Sequence, residues 1–335
     1  MHGTFRPEVW EGLQRYLQVD SEGLRKLLGL DLREVGRAPS GEYQRRLAAN
    51  LREHERLFPQ GQLSDWLYLG DGLFENEWGV RRRLDQSGRY YRYVYQPLAD
   101  WDNLSSYEFP KVNDTGCFDR ARSIAEQYGE QYALVAGVQN FYRHGWELRG
   151  LHEYLMDLHL NKRQVEALNE RLLEFKCREI EEYVSMGVRI IGLIGDVASQ
   201  RGMLMSPSTW RENFRPYLKR LIDYVRSLSS EKVYFYFHSD GNCEDILPDL
   251  IEIGVDIINP VQPECMDPVR IKRLYGKHLV LYGTISVQQT LPFGTAQQVK
   301  DEIASRIEGC GSDGGLILAP SNVVQEDVPY ENILA

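Results

Sequence analysis

The stretch Val233-Tyr234-Phe235-Tyr236-Phe237-His238-Ser239-Asp240-Gly241-Asn242 decides how this chain is read. An apolar and aromatic run makes a buried strand, and it stops on an imidazole, a carboxylate and turn formers. The same grammar recurs on both sides. Upstream, 132–136 runs into Gly137-Val138-Gln139-Asn140, and 189–194 into Gly195-Asp196-Val197. Downstream, 256–258 runs into Asn259-Pro260-Val261-Gln262, 279–282 into Gly283-Thr284-Ile285, and 316–318 into Ala319-Pro320-Ser321-Asn322. Amphipathic helices separate these strands. One is capped at Asn161, lined by Val165, Leu168, Leu172 and Phe175, and ended by Met186-Gly187. The next starts at Ser206-Pro207 and carries Trp210, Phe214, Leu218, Leu221 and Val225 on one stripe, and a shorter one over 243–253 stops at Gly254. Strand and helix alternating from 132 to the end predict an α/β fold with a parallel sheet.

Such a sheet is either open and doubly wound or closed as a barrel. No G-x-G-x-x-G follows a strand and no Walker loop is present, so nothing marks a nucleotide crevice. The strand-like runs at 66–69 and 89–95 bring the count toward eight, which favours a single (β/α)8 TIM barrel over residues 61–335. Residues 1–60 read as an N-terminal helical segment packing on it. Pro7 suits a first helical position, Asp20 and Ser21 suit a cap, and Leu24, Leu27 and Leu28 recur at helix spacing.

Composition narrows the partners. In 335 residues, Lys and Arg number 39 against 49 Asp and Glu, a formal charge of −10. An acidic chain without a basic stripe is a poor ligand for nucleic acid or anionic membranes. The first residues lack the apolar core of a secretory signal, no apolar run has the length of a membrane span, and five scattered cysteines form no C-x-x-C. The expectation is a cytoplasmic protein acting on a small molecule, with Cys243, Cys265 and Cys310 inert.

In a barrel the working residues sit where strands end. His238-x-Asp240 has metal-ligand spacing and equally suits an acid–base pair; the plain alternative is a histidine satisfied by a carbonyl, with Asp240 capping the next helix. Asp196 is either catalytic or an N-cap. Glu147, among aromatics in Gly145-Trp146-Glu147-Leu148-Arg149, is either a carboxyl raised by apolar surroundings or half of an ion pair with Arg149 or another arginine. Gln139, Gln200, Asn259, Tyr282, Ser321 and Asn322 are placed to contact a polar substrate, whereas Arg81-Arg82-Arg83 reads as a solvated face.

Several of these segments together resemble the uroporphyrinogen decarboxylase family. They are Gly195-Asp196-x-x-x-Gln200-x-Gly202-x-x-x-Ser206-Pro207, His238-Ser239-x-Gly241-Asn242 and Leu247-Pro248-Asp249-Leu250-Ile251-x-x-Gly254-Val255-Asp256. Asn259-Pro260-Val261-Gln262 through Met266-Asp267-Pro268, Leu291-Pro292-Phe293-Gly294-Thr295, Leu318-Ala319-Pro320-Ser321 and Val328-Pro329-x-Glu331-Asn332-Ile333 extend the likeness to the end of the chain. The resemblance implies a TIM barrel and one of two chemistries. Decarboxylases of the family need no cofactor and carry an Arg-rich N-terminal signature, which is not found here. The other branch passes methyl groups to or from a corrinoid protein with the help of zinc. In its members that act on coenzyme M, H-x-C and a late Cys hold the zinc.

This sequence aligns there with His238-x-Asp240, and Asn322 replaces the late Cys. The implied function is a zinc-dependent methyltransferase component with Asp196, Glu147 and His238 as catalytic residues and His238 and Asp240 as metal ligands. Asp196, Glu147 or Glu75 would supply the third ligand. A carboxylate-rich donor set is harder than a thiolate pair and suits a substrate oxygen, as in a methoxylated compound. No D-x-H-x-x-G motif is present, so the corrinoid would come on a partner protein. The alternatives are a cofactor-free decarboxylase of a porphyrin-like or smaller acid, and a non-catalytic binding protein on the same scaffold.

Overall fold

Leu32-Arg33-Glu34-Val35, inside the stretch expected to be helical, is the first strand of the main sheet. The structure, a computed structural model, describes residues 5–57, 65–85 and 91–335. Helices Pro7–Leu17, Ser21–Leu27 and Gly41–Leu57 flank this strand, β1 (Leu32–Val35), and Asp20 caps the second of them by accepting from the Gly23 amide. At four residues, half of them charged, β1 has no apolar run to mark it as a strand. Arg33 is buried all the same: it donates to the carbonyls of Leu30 and Leu32 and to Glu22, and its guanidinium lies 3.6 Å from the Tyr132 ring centroid.

The runs at 66–69 and 89–95 are strands, but not strands of that sheet. β2 (Leu67–Gly70), β3 (Leu73–Glu75), β4 (Arg81–Leu84) and β5 (Tyr91–Tyr95) form a separate antiparallel meander; Arg89 and Tyr90 lie outside the described residues. The turn Asp71-Gly72 is too short for the crossover that a parallel neighbour requires.

The remaining strands fall within a residue or two of their expected places, except that the first runs on to Gln139. They are β6 (Ala133–Gln139), β7 (Ile190–Ile194), β8 (Tyr234–His238), β9 (Ile257–Asn259), β10 (Val280–Tyr282) and β11 (Leu316–Ile317). With β1 they make a seven-stranded parallel sheet in the order β1-β6-β7-β8-β9-β10-β11. Among the described residues no pairing joins β11 to β1, so an eight-stranded closure is not what the hydrogen bonds draw. The sheet is nonetheless curled. The Tyr236 phenol on β8, raised mainly by burial, also feels Tyr282 on β10 and Glu34 on β1. A flat sheet would hold β8 and β1 roughly 14 Å apart, at about 4.8 Å per strand.

Alternation then sorts the side chains. Phe235 and Phe237 face the helices, where Trp210, Leu218, Leu221 and Val225 cover them, while Tyr236 joins Val135, Ile257, Tyr282 and Ala319 inside the curl. The expected helix from Ser206 is two helices, Pro207–Asn213 and Arg215–Ser227. The break at Phe214 precedes Pro216, which has no amide to continue the ladder. Asn161 stands at its helix start, but its amide turns to Asp157 and not to the backbone. Gly254 closes the helix Leu247–Ile253 at φ +97°. Among the described residues no helix is long and apolar enough to cross a membrane.

Register places Gly137, Gly192 and Tyr236 side by side, one inward layer below Gln139, Ile194, His238 and Asn259. The Tyr236 ring lies across Gly192, where a Cβ would come within 2.1 Å of ring carbon Cζ. Gly192→Ala is therefore expected to lower stability by about 1–3 kcal/mol through overpacking, read as a shifted urea midpoint with an unchanged slope.

Candidate functional site

The phase of β8 carries His238 to the mouth of the curl. Tyr236 and His238 share the inward face, and His238 is in register with Ile194 on one side and Asn259 on the other. Its Nδ1 lies 2.7 Å from Asn259 Oδ1, and Asn259 Nδ2 donates to the Tyr282 carbonyl at 3.2 Å. The second bond assigns the amide's orientation, so Oδ1 is the acceptor and Nδ1 the donor. Nε2 is then turned the other way, toward Asp196 Oδ1 at 3.7 Å and Asp240 Oδ1 at 3.9 Å.

Backbone geometry sets the two carboxylates. Asp196 accepts from the Asp240 amide at 2.9 Å, and the Ser239 hydroxyl accepts from the Val197 amide at 3.0 Å. Gly195, at φ +154°, makes the bend out of β7; a Cβ there would stand 2.5 Å from Arg143 Cβ and 2.7 Å from Asn140 Oδ1. Asn140 locks the corner by donating to the Gly195 carbonyl (2.7 Å) while capping the helix Phe141–Arg149. Asn322 donates to Asp240 Oδ2. Asp240 Oδ1 is left buried with no hydrogen-bond partner. Burial raises the Asp240 carboxyl above its ordinary range, and Asp196 adds to this against the opposing pulls of His238 and Asn322.

One ligand atom each from Asp196, His238 and Asp240 lies within 4.8 Å of the others. The donor set suits a divalent cation. It offers one imidazole nitrogen with its far proton tied to an oxygen, the usual outer contact of a ligating histidine, and two carboxylates, one with a bare oxygen aimed at that nitrogen. Beside it lies a cavity of about 150 Å³, lined by Ile194, Tyr236, Tyr282, Pro320, Ser321 and Asn322. The Ser321 hydroxyl is buried there without a hydrogen-bond partner.

The other expected residues go elsewhere. Glu147 accepts from Arg143 Nε (2.7 Å), Tyr93 (2.8 Å) and Arg82 Nη2 (3.3 Å) on one oxygen and from Gln139 Nε2 (3.1 Å) on the other. Its partner is thus not Arg149, which pairs with Asp157. Arg82 is correspondingly not on a solvated face. Gln200 is exposed and bonded to Gln288, and Glu75 pairs with Arg46 and Arg81. Neither belongs to the triad. Cys243 and Cys265 are free thiols that burial pushes up to about 12 and about 11. Arg143 and Tyr93 carry no reading in the sequence, and Arg82 and Asn140 none that places them at a site; the readable signal is the Arg143–Glu147 spacing of one helical turn.

Three comparisons bear on the fold. The model of the family described as uroporphyrinogen decarboxylase (URO-D) matches residues 116–335. Among solved structures, a methyltransferase from Methanosarcina mazei has a TM-score of 0.60 with this chain, covering 94% of it and 95% of that protein at 18% identity. No curated protein matches the sequence.

A folded-state pKa raised above the unfolded value stabilises below the unfolded value, and that contribution is lost as pH rises through the raised one. For metal-free protein, Asp240→Asn keeps the Asn322 contact and removes the loss. Calorimetry of chelator-treated protein should give a higher Tm for the variant at neutral pH, converging with wild type near about pH 4; a lower Tm at neutral pH would contradict this electrostatic account.

Proposed function

The chain belongs to the uroporphyrinogen decarboxylase family, and from that premise we propose that it is a zinc-dependent methyltransferase component. It takes a methyl group from a small methoxylated substrate and delivers it to a reduced corrinoid carried by a separate protein. The observation that carries this reading is the convergence of Asp196, His238 and Asp240, with one Asp240 oxygen buried and without a hydrogen-bond partner. The fold shared with a solved methyltransferase is in keeping with it. The reading takes the curled sheet as a (β/α)8 barrel whose open mouth is the working face.

Asp196, His238 and Asp240 would hold the metal. Once bound, it would act as a Lewis acid toward the ether oxygen of the substrate and ease departure of the methyl group. The chain's own residues do the rest. Asn259 keeps the imidazole in the ligating tautomer. Asn322 holds Asp240 by its outer oxygen and keeps the inner one free. Tyr236, Tyr282 and Pro320 give the small cavity apolar walls that orient the substrate and keep water from the methyl group.

Purified protein should hold about one zinc per chain, and His238→Ala should lose it. Asn259→Ala should weaken zinc binding by about 10–100-fold through loss of the outer contact. Methylation of free cob(I)alamin from a methoxylated aromatic, followed by absorbance, should need the bound zinc. Wild type without zinc, zinc content unchanged in His238→Ala, or carbon dioxide release from an acid without metal would each sink the proposal.

A further inference from the structure

The cavity beside the triad holds one polar group that the proposed chemistry leaves idle. The neighbouring polar groups have partners: His238 Nδ1 has Asn259, the Asn259 amide has the Tyr282 carbonyl, and the Asn322 amide has Asp240. Ser321 is the exception. It lines the cavity and is 3% exposed, and among the described residues its hydroxyl has no hydrogen-bond partner. A buried hydroxyl left unpaired costs stability that an alanine at the same place would not.

The backbone fixes where Ser321 stands. Its amide donates to the Ile285 carbonyl at 2.8 Å, and the Ala319 carbonyl accepts from the Thr284 and Ile285 amides at 3.0 and 3.1 Å. The segment is thus pinned to the chain that leaves β10. On its other side Ser321 is joined to Asn322, whose amide reaches Asp240. Neighbouring Cα atoms are about 3.8 Å apart, so Ser321 stands on the cavity wall next to the triad.

The other walls narrow the chemistry. Ile194, Tyr236, Tyr282, Ala319, Pro320 and Val323 give apolar and aromatic surface, and among the described residues no lysine or arginine lines the cavity. An acid group would find no counter-charge there. A hydroxyl matches serine, which both donates and accepts. The cavity measures about 150 Å³, the size that takes one benzene ring.

We propose that Ser321 is a specificity-determining residue, and that it pairs with a hydroxyl on the carbon next to the one that bears the ether. The substrate is then a neutral, single-ring ether with its ether oxygen at the triad and its hydroxyl at Ser321. The inference rests on the proposed function and narrows the substrate of that site. The hydroxyl takes no part in the bond that breaks; it selects and orients.

The test uses the full-length, zinc-loaded protein and two probes of nearly equal shape, 2-methoxyphenol and 2-methoxytoluene, in which a methyl replaces the hydroxyl. Calorimetry gives the ratio of their affinities. That ratio should shift roughly 3–10-fold against the phenol from wild type to Ser321→Ala, the range for a neutral hydrogen bond, with zinc content unchanged. Ser321→Cys, similar in shape and a weaker donor, should fall between. In urea, Ser321→Ala should be no less stable than wild type, because the hydroxyl it removes has no partner; a lower midpoint would mean that the protein itself uses the hydroxyl, and would overturn the proposal. An unchanged ratio in zinc-loaded Ser321→Ala overturns it too, since the phenol would then be sitting on the metal or in solvent. So does wild type that binds neither probe, a result that needs no variant. Zinc content reports separately on the proposed function. Protein that takes up no zinc, yet loses the ratio in Ser321→Ala, supports the pairing and overturns the metal reading.

Discussion

One imidazole organises the mouth of this molecule. His238 turns Nδ1 to the Asn259 oxygen and aims Nε2 at the carboxylates of Asp196 and Asp240. One oxygen of Asp240 is buried there without a hydrogen-bond donor, while Asn322 satisfies the outer oxygen. The arrangement is held by rigid parts: the strand ends of β7 and β8, the Gly195 bend and the Ser239 hydroxyl on the Val197 amide. A small cation placed among these atoms would be within reach of all three residues at once.

The fold supplies that arrangement by parity more than by any special loop. Every inward position in the row Gln139, Ile194, His238 and Asn259 is an even number of residues from an inward position in the layer below. Moving β8 by a single residue would turn His238 to the helices and Phe237 into the mouth. The two glycines in the layer below admit the Tyr236 ring, which floors the cavity directly under His238. Packing in the lower layer and chemistry in the upper one are thus consequences of the same register.

How much of this could be read from sequence follows from what a linear pattern encodes. Buried parallel strands announce themselves as short apolar runs, so β6 to β11 were found, and so were the polar residues at their tips. β1 was not, because Arg33 and Glu34 break the apolar run; Arg33 is buried by contacts with Glu22 and Tyr132, which no local pattern predicts. The runs at 66–69 and 89–95 read as further barrel strands; β2 and β5 pair antiparallel instead, because strand pairing is non-local and the short turn at Asp71-Gly72 allows no crossover. His238 and Asp240 stood out by spacing. Asp196 became their neighbour only through β7–β8 pairing. The direction of the Asn259 amide is a matter of three dimensions, and so its contact with the imidazole is not legible in the sequence.

Glu147 has two readings in the sequence, a carboxyl raised by apolar surroundings or half of an ion pair, and the structure pairs it with Arg82 and Arg143. An acid among aromatics suggests a carboxyl with a raised pKa, ready to give a proton. The structure surrounds it with two guanidiniums, a phenol and an amide that all donate to it. Its effect is geometric. Arg82 and Tyr93 come from the meander, Gln139 from β6 and Arg143 from the following helix, so one carboxylate joins three separate pieces of the chain. It also holds two like charges side by side, between which its own charge offsets part of the repulsion.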